Sequence, residues 1–514
     1  MSPAHTIFGR PGVVGQTAVR DVAWPQSVEA VFEHLARRRG CVWLDSAGGP
    51  RRLARWSVLA AEPSAVLVHQ GGTAWLMAPD GRRLFEVRGQ PFAALRRALR
   101  AFPAAGDEQS ARLPFGPGLY GYLAYDLGQY VEPTAGLAPR RDIPLPDLWF
   151  GLYEAVLVLD HHESRAYLVG AEGPAYEAIN AALHASSEVP LSSRSLGPPP
   201  ARQTPAAPPL TCNLSREAYL RVVERAREYI AAGDIFQVNL SRRFTVALDP
   251  GTRARAVTFS RPACGARPSE AGPDLPLADL YLGLRQMNPA PYAAFLGLGA
   301  GRAVLSTSPE LFLDSRGGRI VTRPIKGTRP RRPGDETFNE RMRQDLLASE
   351  KDRAELVMIV DLERNDLGRV SAYGTVRVTE PRTVEAYAAV YHTVATVEGR
   401  LQPGRDVVDL LKATFPGGSI TGAPKVRAMQ IIAELEPTRR SVYTGAIGYL
   451  GPPSPSEPAG RAALNIAIRT VLATSSAVHL QVGGGVVADS EPEAEFDETT
   501  DKARAILAAL GLTA

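Results

Sequence analysis

Lysine is nearly absent from this chain. Among 58 basic side chains only Lys326, Lys351, Lys412, Lys425 and Lys502 are lysine, so ordinary surface positions are filled with arginine. Arginine does not lose its proton, and a lysine kept in such a background marks a place where a free amine is useful. Cysteine is as scarce. Cys41, Cys212 and Cys264 are odd in number and never form CxxC pairs, which excludes a disulfide framework and a zinc site and fits a reducing compartment. No apolar run approaches the roughly 20 residues that cross a bilayer. The opening MSPAHTIFGRPGVVGQ lacks the basic start and apolar stretch of a secretory signal, so a cytoplasmic protein with no membrane partner is expected. Basic tracts interleaved with aromatics are missing too. The net charge is only +4 and the arginines are scattered among 54 acids, which argues against nucleic acid while leaving a diffuse attraction for a small anion.

What is present is a globular composition, 45% hydrophobic and 22% charged over 514 residues, too long for one ordinary core. The Pro/Ser-rich stretch SSEVPLSSRSLGPPPARQTPAAPP opens a linker over residues 186–213, dividing an N-terminal region, 1–185, from a second domain, 214–514. Short strands are expected at Cys41–Ala47 and Ala155–Leu159. A helix capped by Ser215 should carry Tyr219, Val222, Val223, Ala226, Tyr229 and Ile230 on one face and stop near Gly233. In the strand that follows, a period of two sets Phe236, Val238 and Leu240 on one face and the amides Gln237 and Asn239 on the other. Residues 251–276 read as a surface insertion before a helix over Asp279–Arg285.

The chemistry gathers in the second domain. Lys326 stands in Pro324-Ile325-Lys326-Gly327-Thr328-Arg329-Pro330-Arg331, a Pro/Gly-flanked turn, with Ser308-Pro309-Glu310 upstream. Two acid pairs share one spacing: Asp352 with Glu355, and Glu495 with Glu498, the latter followed one turn later by Lys502. Residues three apart on a helix face one way, so each pair can point into one site. Two glycine-rich runs, Gly417–Lys425 and Gly483–Gly485, lack both the Gly-Lys-Ser/Thr ending of a phosphate loop and the spaced glycines of a dinucleotide fingerprint. They do allow close backbone approach to a ligand, and Thr421 is placed to cap a helix begun at Pro424.

In order and spacing these motifs resemble the chorismate-utilising enzymes, most strongly over residues 214–508, and within them the aminodeoxychorismate synthase component I group. The resemblance implies an α+β fold of two packed, mostly antiparallel sheets flanked by helices, with the site in a C-terminal cleft. It implies Mg²⁺ held directly by Glu355 and Glu498 and through water by Asp352 and Glu495, gripping the ring carboxylate of chorismate; four carboxylates near a dianion would otherwise repel it. Tyr443 and Arg469 match the residues that bind the enolpyruvyl carboxylate. Gln237, Gly327, Thr328, Thr421 and Gly483, Gly484 and Gly485 match pocket-lining positions, and His392 matches a group that orients the ring. Glu310 matches the general acid for the C4 hydroxyl.

Three positions bear on the reaction. Isochorismate and salicylate synthases carry a water-activating lysine where this chain has Gln237, and anthranilate synthases usually read Pro-Ile-Ala-Gly-Thr where it has Lys326. Lys326 with Gln237 and Asn239 is the aminodeoxychorismate synthase combination, implying a covalent lysine intermediate at C2, amination at C4 and a transferase of 4-aminobenzoate and folate biosynthesis. Anthranilate synthase component I, of tryptophan biosynthesis, is the alternative. No cysteine sits in the Gly-x-Cys-x-Gly setting of a glutamine amidotransferase, so a separate subunit is expected to supply ammonia, and pyruvate release is expected to need another enzyme. Ser46, in Leu44-Asp45-Ser46, and Pro291-Tyr292-Ala293 resemble the family's tryptophan pocket. The chain departs from the family at Gly484, where alanine is commoner, at Leu356, and in the 251–276 insertion.

Overall fold

The computed structural model describes residues 18–46, 48–102, 112–187, 210–248 and 275–510. Most of the expected linker, most of the 251–276 insertion, and Cys264 lie outside them. Two 12-stranded sheets dominate, and every ladder between their strands is antiparallel. Each sheet draws strands from both sides of the Pro/Ser-rich stretch. In the first, Val42–Asp45 pairs with Tyr292–Gly299; in the second, Gly118–Leu123 pairs with Ala446–Gly451. The expected α+β architecture of packed antiparallel sheets is therefore the one observed.

Period-two alternation sets the layers. Along Val42–Asp45 and Ala155–Asp160, Val42, Leu44, Val156 and Val158 face inward to the other sheet, while Trp43, Leu157 and Leu159 face an outer helical layer. In the second sheet Tyr120 and Tyr122 join the layer between the sheets, and Leu119 and Leu123 turn to the opposite side. A slip of one residue would exchange these sets, and each fully buried aliphatic side chain is worth about 1.5–3 kcal/mol, so the register is strongly fixed. Helices cover the outer faces through Phe32, Ile179, Tyr281 and Ile506 on the first sheet and Leu95, Leu410 and Ile431 on the second.

Local signals account for several boundaries. The helix Arg216–Ala231 begins where Ser215 accepts the Ala218 N–H at 3.2 Å and ends before Gly233, whose φ of +82° suits glycine. The helix expected at Asp279–Arg285 extends over Leu275–Met287. Two expectations are corrected. Phe236 is 71% exposed and precedes the strand Gln237–Ala247, while Gln237, Val238, Asn239 and Leu240 are all buried. The strand lies between the core and another layer of protein, so both of its faces are covered. Thr421 does not cap the helix Lys425–Leu435, whose N-terminus has no side-chain cap; its hydroxyl donates to the Gly417 carbonyl at 2.7 Å instead. Among the described residues no helix is long and apolar enough to cross a membrane.

Candidate active site

Lys326 lies in an edge strand, Ile325–Pro330, which pairs with Val390–Arg400 through a bulge rather than forming the expected turn. Gly327 makes the bulge with φ of +80°, a conformation that a side chain would resist. The bulge puts Lys326 opposite Thr393, whose hydroxyl donates to the Lys326 carbonyl, and Thr328 opposite His392. A methyl group added at Gly327 would lie 2.9 Å from Asp352 Cγ, so the bulge rests against the first acid pair.

The glycine run meets the lysine from the other sheet. The strand Ala477–Val486 pairs with Gln237–Ala247, setting Gly485 opposite Asn239 and Gly483 opposite Ser241. A methyl at Gly485 would fall 2.1 Å from Gln237 Nε2 and 3.4 Å from Lys326 Nζ; one at Gly483 would fall 2.9 Å from the Tyr443 hydroxyl. Gly484 faces the second acid pair, where a methyl would come 2.9 Å from Glu495 Oε2 and 3.6 Å from Glu498 Oε1. The glycines thus hold backbone against three sets of site residues. Gly485→Ala is expected to push the Gln237 amide aside and lower kcat/KM on the order of 100-fold, since a misplacement of about 1 Å has that effect. The melting transition should hardly move, because only a flexible amide must yield, and steady-state kinetics with a thermal melt check both.

Electrostatics distinguish the acids. Glu310 is 5% exposed, and burial pushes its pKa up to about 7 against the opposing pull of a bond from Ser419 Oγ at 2.6 Å and the charges of Lys326 and Arg469. It can hold a proton near neutrality and give it up. Lys326 keeps part of its surface accessible, as a group in a cleft wall does, yet the protein packed around its amine drives its pKa down, with Glu355, Glu310 and Glu498 pulling the other way and Lys502 adding to the depression. Burial raises Glu355, opposed by Lys326 and Lys351. Burial also raises Glu495, which accepts from Ser490 Oγ at 2.6 Å. In Glu498 burial is outweighed by Lys502, 2.6 Å away, and the net shift is downward.

The acid pairs lie on the helices Glu350–Gly368 and Pro492–Ala509, as their spacing requires. Their oxygens are partly engaged by cations: Arg329 lies 3.2 Å from Asp352 Oδ2, and Lys502 bridges Glu498 to the Gly483 carbonyl at 2.8 Å. Among the described residues no three acid, imidazole or thiol groups stand as a preformed metal cluster. Glu495 Oε2, however, is buried without a protein partner.

Other buried polar atoms share that condition. Gln237 Oε1 and His392 Nε2 have no partner, whereas native interiors leave few such atoms unpaired and each calls for an explanation. His392 is 3% exposed; its Nδ1 bonds the Thr328 hydroxyl at 2.9 Å, and burial, helped by Arg469, depresses its pKa to about 3, so the ring is neutral. Arg469 sits between two strands with φ of +49°, rare for a residue with a side chain, and makes no ion pair among the described residues. A guanidinium held at such a backbone position without a carboxylate is suited to an anion brought from outside.

Thr421 is fully buried in the glycine-rich loop, its hydroxyl bonded inward. Ser46, Pro291, Tyr292 and Ala293 are brought together in the first sheet: Ser46 Oγ donates to the Trp56 carbonyl at 2.7 Å and to the Pro291 carbonyl at 3.1 Å, and Ala293 pairs with Asp45. Asp45 is already matched by Arg285 at 2.6 Å. Sequence reasoning missed Ser419, although it lies within the glycine-rich run; a hydroxyl between glycines gave no sign of a bond to a residue 109 positions away.

The chain also matches known proteins. The family model described as chorismate binding enzyme matches residues 39–508. Aminodeoxychorismate synthase component 1 of Bacillus subtilis is 38% identical over 94% of each chain. Anthranilate synthase component 1 of Streptomyces coelicolor is 42% identical over 82% of this chain and 78% of its own length. Among solved structures, anthranilate synthase component I of Streptococcus pneumoniae superposes with a TM-score of 0.67 at 31% identity, covering 88% of this chain and 92% of that one.

Proposed function

We propose, for a chain that belongs to the chorismate-binding enzymes, that it aminates chorismate at C4 to give 4-amino-4-deoxychorismate, with Lys326 as a transient covalent nucleophile. The observation that carries this reading is Lys326 itself, partly accessible along its side chain, with its amine packed against Gly485 and its pKa lowered by burial, close to a Glu310 carboxyl raised to about 7. A lysine is only about 0.1% deprotonated near pH 7.4 at its ordinary pKa, and a depression favours the neutral, nucleophilic amine. The lysine nitrogen bonds to C2, both ring double bonds shift, and the C4 hydroxyl departs as water with the Glu310 proton. Ammonia then bonds to C4, both double bonds return, and the C2–nitrogen bond breaks to release the lysine.

The other residues bind and orient. Arg469 and Tyr443 hold the enolpyruvyl carboxylate, and neutral His392 offers Nε2 to the ring without adding charge. Gln237 and the backbone at Gly483–Gly485, with Gly327, Thr328 and Thr421, close the walls. The acid pairs suit a hard divalent cation such as Mg²⁺, since every donor is a carboxylate oxygen and Glu495 Oε2 lacks a partner. Glu355 and Glu498 would hold it directly, Asp352 and Glu495 through water. When bound it supplies positive charge to the ring carboxylate.

Lys326 favours amination at C4 over anthranilate formation, in which its amine has no role. Incubation with chorismate, Mg²⁺ and an ammonium salt is expected to give a product with the mass and ultraviolet spectrum of 4-amino-4-deoxychorismate. Glutamine should replace ammonium only when a separate glutaminase subunit is added. Anthranilate as the product, or glutamine-driven turnover by the purified chain alone, contradicts the reading.

A further inference from the structure

One buried acid has no part in this scheme. Glu363, on the helix Glu350–Gly368, is 3% exposed, and its neighbour Asp366 is 2% exposed. Asp366 is matched by Lys425, whose amine bonds it and the Thr414 carbonyl. Glu363 has no such dedicated cation. Burial, the charge of Asp366 and that of Glu310 outweigh Lys425 and lift its pKa to about 8. Burying an acid where leucine or valine would pack costs free energy unless the group makes a bond that matters.

That contact is with the glycine-rich turn. The Gly418 backbone lies against Glu363 Oε1, while Oε2 accepts a long bond from the Thr322 hydroxyl at 3.5 Å. A methyl added at Gly418 would sit 2.6 Å from Leu362 Cδ2 and 3.4 Å from Glu363 Oε1, so the turn rests directly on this helix. The next residue, Ser419, is 6% exposed and donates to Glu310 Oε1 at 2.6 Å. Two adjacent residues thus join the two acids: one is held by Glu363 and the other holds Glu310.

We propose that Glu363 is a positioning residue for the proton donor, fixing the Gly418–Ser419 turn from behind so that Ser419 keeps its bond to Glu310. The proposal rests on the reading of Glu310 as the general acid. Glu363 never touches substrate. Burial holds its carboxyl toward the neutral form, so it backs the Gly418 backbone without setting a second full charge beside Glu310. Lys326 and Arg469 face Glu310, and Asp366 and Lys425 face Glu363; they stay in place when Glu363 alone is changed. Loss of the Ser419 bond removes a contact that favours the charged form of Glu310, so its titration moves to higher pH.

The test is a series of variants followed by kcat, KM and the pH–rate profile. Glu363→Leu should lower kcat about ten-fold or more with KM nearly unchanged, as expected for a misplaced rather than missing acid, and move the limb near pH 7 upward. Glu363→Gln, which keeps an acceptor oxygen, should behave as the parent. Ser419→Ala should reproduce the leucine variant, and the two together should lose no more than either alone. If the leucine variant does not fold, Gly418→Ala, which wedges the turn off Leu362, should match Ser419→Ala. Unchanged kcat and pH profile in Glu363→Leu, unchanged values in Gly418→Ala where Ser419→Ala alters them, or full additivity of the double variant, overturns the proposal. Glu310→Gln separates the two readings. Collapse of its kcat beside an unaffected Glu363→Leu removes only the positioning role, whereas an active Glu310→Gln removes the general-acid reading and this proposal with it.

Discussion

Replacing Lys326 with alanine should lower 4-amino-4-deoxychorismate formation by roughly 10³-fold or more, the scale seen when a covalent nucleophile is removed. Chorismate should bind almost as well, because Arg469, Tyr443 and the acid pairs remain. Lys326→Arg should not rescue the reaction, since a guanidinium keeps its proton and cannot attack carbon. In the alanine variant ammonia can approach C2 directly, and a small yield of 2-amino product is expected. Product analysis by liquid chromatography and mass spectrometry, with calorimetry for binding, checks both halves. C4 amination at the parent rate in both variants would leave Lys326 as a structural residue of the bulge.

Glu355→Ala should be nearly as damaging. Glu355 is half-buried beside Lys326, its carboxyl raised by burial, and its helix also carries Asp352. Its loss should abolish Mg²⁺ binding measurable by calorimetry and reduce turnover at least about 100-fold, whereas Glu495→Gln, acting through water, should weaken the metal by about 10–100-fold. Full activity of Glu355→Ala, or full activity in excess chelator, contradicts the metal assignment.

Much of this site was legible because local signals and side-chain chemistry agreed. The i, i+3 acid pairs fell on helices, and Ser215 capped the helix it precedes. Scarce lysine pointed to Lys326. Non-local contacts decided what the sequence did not reveal. Phe236 fits a period-two pattern, but the ladder begins at Gln237, where the strand pairs with Ala423, and pairing with Ala477–Val486 starts only at Val238. Lys326 reads as a turn residue between Pro324 and Gly327, yet pairing with Val390–Arg400 makes it a strand residue beside a bulge. Thr421 has the character of a cap, but its hydroxyl was taken by Gly417. The link from Glu363 through Gly418 and Ser419 to Glu310 joins segments far apart in the chain, and no periodicity reports such a contact.

The central claim is a bond between Lys326 and the substrate, and intact-protein mass spectrometry tests it most directly. Protein held with chorismate and Mg²⁺ but without ammonia should gain the mass of chorismate less one water. Peptide mapping should assign that gain to Lys326, it should be absent from Lys326→Ala, and added ammonium should discharge it. Parent protein that forms 4-amino-4-deoxychorismate at full rate yet shows no adduct on Lys326 under rapid quench would contradict the account.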